Sequence, residues 1–158
     1  MYSLGIETLH KITSLKAMEI RNCKIEPWLF DSKNQKPPLI NYFVLIGDQI
    51  FLDTQTIQKD ILIKLTSREQ VEGTMAYEES ADILASMQVY FTFVVDDLAH
   101  FITYSKSLNE PIINKELNTW LNNVIIATSR GIIFDKLQDT IIKSSVLPLI
   151  NPNDLANH

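Results

Sequence analysis

Cysteine, glycine and long apolar runs are all scarce in this chain, and each scarcity removes a class of function. The single cysteine, Cys23, has no partner for an internal disulfide and cannot supply a multi-thiolate metal site, a pattern that suits a reducing compartment. Its expected place is a small core or half-buried position. The four glycines, Gly5, Gly47, Gly73 and Gly131, lie too far apart to build a glycine-rich phosphate loop, which excludes nucleotide binding through the common motifs. Glycine-flanked serine nucleophiles are absent too. No window approaches the roughly 18 consecutive apolar residues of a membrane-spanning helix. The run Met1-Tyr2-Ser3-Leu4-Gly5-Ile6-Glu7 has neither the basic start nor the apolar core of a secretion signal. The expected location is cytoplasmic, without membrane insertion.

Histidine is equally sparse. His10, His100 and His158 are dispersed, and neither a His-Glu-x-x-His nor a Cys-x-x-Cys spacing occurs, so no metal site and no cofactor is expected. Asp96 and His100 share a face if their turn is helical, which would orient an imidazole for acid–base work. The plainer reading is a helix cap beside an exposed histidine. The 14 basic residues are spread among 19 acidic ones, for a net charge of −5. Neutralising a nucleic-acid backbone requires clustered Lys and Arg, so nucleic acid is not the expected partner. No catalytic residue is assigned, and the chain reads as a non-enzyme.

What is present is ordinary globular composition, 46% hydrophobic and 21% charged over 158 residues, enough for one domain spanning residues 1–158. Residues 83–95 alternate strictly, with Ile83, Ala85, Met87, Val89, Phe91, Phe93 and Val95 on one face of a strand. Residues 58–70 carry a second alternation, Ile61, Ile63 and Leu65 against Leu62, Lys64, Thr66 and Arg68, which reads as a half-solvated antiparallel strand. Residues 14–26 and 41–56 are further strands, the latter broken by a turn or bulge at Gly47-Asp48. Polar connections at 31–38 and 72–80 separate them, and the acids Glu69, Glu72, Glu78, Glu79 and Asp82 read as solvated surface. Residues 96–101 form a short helical turn capped by its acids, and 105–114 reads as loop.

A long helix begins at Glu116. Leu117, Trp120, Leu121, Val124, Ala127 and Gly131 recur at helical spacing, and Ile125, Ile126, Ile132 and Ile133 make a second apolar face. A helix apolar on two sides needs cover on two sides, by its own sheet and by a partner. Gly131 in mid-helix costs about 1 kcal/mol relative to alanine, which points to close approach of another backbone. Trp120 and Gly131 are therefore the candidate oligomer-interface residues. Two prolines, Pro148 and Pro152, then make residues 145–155 an extended ending. Strands first and helix last define an α+β class: a four-stranded antiparallel sheet followed by a long C-terminal helix packed on one face.

With that order in place, Arg130 within Ala127-Thr128-Ser129-Arg130-Gly131-Ile132-Ile133, followed by Leu147-Pro148-Leu149-Ile150-Asn151, resembles the SecB export-chaperone family. The resemblance implies an ATP-independent holdase for unfolded or non-native polypeptides, assembled as a homotetramer made of a dimer of dimers. It places client grooves between the sheet edge, the loop after the first strand and the helical layer. The matching positions are Trp28 and Phe30, in Pro27-Trp28-Leu29-Phe30, with Tyr42 and Phe43 beyond Pro37-Pro38. Export-dedicated members end in a tail that engages the translocation motor, whereas this sequence finishes Asp154-Leu155-Ala156-Asn157-His158. Related members serve particular cytoplasmic clients such as antitoxins. The alternative function is a non-catalytic adaptor that binds one folded partner protein.

Overall fold

The computed structural model describes residues 6–30, 39–67 and 83–142. Four long strands, β1 (Thr13–Ile25), β2 (Ile40–Phe51), β3 (Thr56–Ser67) and β4 (Ile83–Val95), form one antiparallel sheet in the order β1-β4-β3-β2. Strands 2, 3 and 4 are successive neighbours and β1 lies beside β4, a Greek-key order with β1 and β2 at the edges. A helix α1 (Ile6–Ile12) precedes the sheet, and the 22-residue helix α2 (Lys115–Lys136) follows it, giving an α+β fold.

The alternation seen in the sequence is the alternation of burial from Ala85 onward, whereas Ile83, expected on the same face, is exposed and Leu84 is buried in its place. On β4, Ala85, Met87, Val89, Phe91, Phe93 and Val95 all lie on the inner face, and Phe91 and Phe93 stack with ring centroids 6.2 Å apart. Ile57, Ile61, Ile63 and Leu65 of β3 face the same way, while Gln58, Asp60, Leu62 and Lys64 are only partly covered. Helix α2 closes this inner face with Leu117, Leu121, Ile125, Ile126 and Ile133. Its N-terminus is fixed by Asn114, whose Oδ1 accepts from the N–H groups of Glu116 at 2.9 Å and Leu117 at 3.3 Å.

Several expectations change. Gly47-Asp48 does not break β2, which pairs without interruption from Ile40↔Ser67 to Phe51↔Thr56. Gly47 stands opposite Asp60, and a Cβ there would meet Asp60 Oδ1 at 2.7 Å, a contact the flexible carboxylate relieves by turning aside. The turn comes later, at residues 52–55, where Gln55 takes φ 52°. Residues 105–114 are not a loop throughout, since β5 (Ile102–Ser105) and β6 (Glu110–Ile113) form a hairpin. Four-residue strands are too short to establish a period, and the Ser105 hydroxyl and carbonyl close the turn onto Leu108 and Asn109.

The 3-10 turn Leu98–Phe101 is present, but Asp97 caps it with no side-chain hydrogen bond and sits at φ 55°. Cys23 is exposed, in a stretch where the β1–β4 register shifts between Arg21 and Lys24. The connections 31–38 and 72–80, the acids Glu69, Glu72, Glu78, Glu79 and Asp82, and the ending 145–155 lie outside the described residues.

Candidate functional site

The end of the sheet where β1 finishes and β2 begins gathers most of the aromatic candidates. Ile25, Ala85, Leu65 and Tyr42 form one row across the four strands. Directly after Ile25 the chain turns through the 3-10 helix Pro27–Phe30. Glu26 N–H donates to the Leu84 carbonyl at 2.9 Å and fixes where this turn starts. Leu29 is fully buried, and its carbonyl accepts from the N–H of Ile141, beyond α2, at 2.8 Å. With Leu29 anchored inward, Trp28 and Phe30 on either side are 43% and 48% exposed. A 3-10 turn has about three residues per turn, so neighbours of a buried position are forced outward.

Tyr42 is half-buried on the inner face of this same end, in the row that includes Leu65. Phe43, one residue on, lies on the opposite face with the Lys64 ammonium 5.8 Å from its ring centroid. Trp28, Phe30 and Tyr42 thus share one end of the sheet, and Phe43 belongs to the other face. Leu15, Met18 and Ile20 of edge strand β1 oppose Phe93, Phe91 and Val89 in the register, yet are exposed. The inner apolar surface therefore runs out past the cover of α2 toward the β1 edge.

On α2, Trp120 and Val124 are partly buried against the core, whereas Ala127, Gly131 and Phe134 are exposed. The expected first apolar face is therefore split: Leu117 and Leu121 point into the core and Ala127 and Gly131 away from it. A Cβ built on Gly131 meets no described residue within 4 Å, so the close approach expected at this position is not made by the described residues. The Nε of Arg130 is buried with no hydrogen-bond partner among the described residues.

The feature that sequence reasoning missed is Lys59. Its place in the row Ile57, Lys59, Ile61 puts it on the inner face, paired across to Phe91 on one side and Asp48 on the other. The side chain is fully buried. Its ammonium donates to Asp48 Oδ2 at 3.3 Å and to Asn118 Oδ1 on the first turn of α2. Burial pushes the Lys59 pKa below the ordinary 10.5, against the opposing pull of the Asp48 carboxylate and, less directly, Asp60. The available signal was parity: a lysine in an otherwise apolar inner row.

Among the described residues no group of three or more His, Cys, Asp or Glu side chains is placed to hold a metal ion. His100 and Asp96 are both exposed. No described helix is long and apolar enough to cross a membrane. No protein-family model matches the chain, and neither does any curated protein sequence.

Proposed function

We propose that the protein is a cytoplasmic, ATP-independent holdase of the SecB-like kind, binding unfolded or non-native polypeptides. The observation that carries this reading is the Pro27–Phe30 turn, where a buried Leu29 holds two large aromatic side chains out to solvent. A protein that binds many sequences needs apolar surface beside backbone that a client strand can join. Trp28 and Phe30 supply the first, and the long edge strand β1, with exposed Leu15, Met18 and Ile20, supplies the second. Each aromatic can bury about 150–250 Å² against a client and contribute on the order of 2 kcal/mol. Several such contacts give reversible holding without nucleotide.

The same features support self-association, to a tetramer in this reading. The edge strands β1 and β2, each paired on one side only among the described residues, favour pairing between copies, and the exposed Ala127 and Gly131 of α2, beside half-buried Trp120 and Val124, favour helix-to-helix contact. Delivery of clients to export machinery and service to one client such as an antitoxin are both compatible with this chemistry.

The test is suppression of aggregation of a chemically denatured protein without nucleotide, with the mass of the assembly read by light scattering. Equimolar or sub-stoichiometric suppression is expected, and it should weaken in the Trp28→Ala, Phe30→Ala double variant while the fold persists. A chain that ignores unrelated unfolded proteins is an adaptor for one folded partner instead. Unfolding of the double variant would assign both aromatics to the core and remove the proposed groove.

A further inference from the structure

Asn118, Asn122 and Ser129 stand at i, i+4 and i+11 on α2, a spacing that lines them up along one narrow strip of the helix. Asn122 is 2% exposed and Ser129 not at all, so the strip is turned inward. Neither Asn122 Oδ1 nor Ser129 Oγ has a hydrogen-bond partner among the described residues. At the head of the strip Asn118 accepts from the buried Lys59 ammonium, which Asp48 also holds. The sheet surface around Lys59 is otherwise apolar, with Ile57, Ile61, Val89 and Phe91 fully buried.

A buried polar group without a partner is worse off than it would be in water, whereas a buried apolar one is better off. Leu117, Leu121, Ile125, Ile126 and Ile133, with the Lys59–Asn118 bond, therefore hold α2 down, while the unpartnered Asn122 and Ser129 lower the cost of lifting it. Both ends of the helix are tied independently of the strip. Asn114 N–H donates to the Phe101 carbonyl at 2.6 Å before α2, and Ile141 N–H to the Leu29 carbonyl at 2.8 Å after it.

We infer that α2 is a hinged layer that leaves the intact β1–β4 sheet as a unit, through a polar seam of Lys59, Asn118, Asn122 and Ser129 that water solvates on opening. Lifting uncovers the buried apolar patch of Ile61, Val89 and Phe91 beside Lys59, a second surface that the closed form hides. The inference does not depend on the holdase reading, because the seam belongs to one chain and its test uses no client.

Amide hydrogen exchange separates local opening of α2 from global unfolding. In the unaltered protein, amides of α2 between Leu121 and Ile133 are expected to show protection at least about tenfold lower than those of β4 between Met87 and Phe93. The double variant Asn122→Leu, Ser129→Ala should narrow that gap by about tenfold, equivalent to about 1.4 kcal/mol. Ser129→Ala alone, which removes one oxygen and adds no bulk, should narrow it about threefold, and serves if the larger leucine prevents folding. Equal protection of α2 and β4 in the unaltered protein would mean that the helix opens only when the whole domain does, and overturns the inference. So does a folded Ser129→Ala protein whose gap is unchanged.

Discussion

Replacing Lys59 with methionine should stabilise the domain, contrary to what the loss of an ion pair suggests. Methionine keeps most of the length and packing of the lysine stem and removes only the ammonium. Two interactions disappear, the bond to Asp48 at 3.3 Å and the bond to Asn118. Hydrogen bonds to a charged group contribute about 1.5–3 kcal/mol each, so the loss is about 3–6 kcal/mol. Against this stands the desolvation of a fully buried ammonium, which is several kcal/mol even after relaxation. The two totals are of similar size, and replacing a buried ion pair by apolar side chains of similar volume is commonly neutral or stabilising. Burial is the largest influence on Lys59 and depresses its pKa, so the folded environment disfavours the charged form more than Asp48 and Asp60 favour it. The Asp48 side chain is 34% exposed and can return to water, which limits the damage to the abandoned partner.

The expected gain is about 1 kcal/mol, or a rise of about 2–4 °C in Tm for a domain of this size, read by urea denaturation and calorimetry. The pH dependence carries the same sign. Between the depressed folded pKa and the unfolded value near 10.5, the unfolded chain holds a proton that the folded chain has released, so stability of the unaltered protein rises with pH across that window. The Lys59→Met protein lacks this rise, and its advantage is largest at neutral pH and shrinks toward pH 10.5. Lys59→Ala should behave oppositely, losing about 2–4 kcal/mol by leaving a cavity. Destabilisation of Lys59→Met by more than about 2 kcal/mol would refute the reasoning, because the pair would then outweigh the desolvation it requires.

Asn114→Ala should cost about 1 kcal/mol in denaturant melts, since its Oδ1 satisfies two N–H groups of the first turn of α2; an unchanged midpoint would show that water replaces the cap without loss. Gly131→Ala should raise the stability of the isolated chain by up to about 1 kcal/mol, because its Cβ enters open space and alanine favours the helix. Gly131→Leu should lower the assembly's mass in light scattering, and an unaltered oligomer would remove Gly131 from the interface.

The core strands were legible because burial on one face writes a period of two into the chain, and β4 shows it from Ala85 to Val95; at Ile83 it fails, because the β3–β4 register shifts between Leu65 and Thr66 and turns Leu84 inward instead. Lys59 was hidden for a connected reason. Reading Gly47-Asp48 as a break removed Asp48 from any register, whereas a continuous β2 would have set the inner row Tyr42, Val44, Ile46, Asp48 and Ile50 beside Ile57, Lys59, Ile61, Ile63 and Leu65. An acid opposite a lysine in two apolar rows would then have stood out. Glycine alone does not distinguish a turn from a position inside a continuous strand, and here Gly47 pairs with Asp60 in an unbroken ladder. The short α1 and the β5–β6 hairpin escaped because neither is long enough to show a period. The aromatic pair of the Pro27–Phe30 turn was visible as residues, but its exposure depends on Leu29 being drawn inward toward the end of α2, a tertiary fact.

If Lys59 and Asp48 reduce stability, they still give the sheet something that apolar residues cannot. The inner rows of β2 and β3 are otherwise nearly interchangeable aliphatic side chains, and a slip of two residues keeps every one of them on the core face. Such a slip sets Lys59 opposite Ile46 or Ile50 in place of Asp48, stranding a buried ammonium without its carboxylate. Breaking a buried pair costs about 3–5 kcal/mol, far more than a change of aliphatic neighbours. Our hypothesis is that the pair fixes the β2–β3 register and, through Asn118, the seat of α2 upon it. The double variant Lys59→Met, Asp48→Leu should therefore gain stability yet lose uniqueness, with duplicated backbone resonances for β2 in an amide correlation spectrum. A single set of resonances at native positions would show that the turn at residues 52–55 is enough to hold the register without the charges.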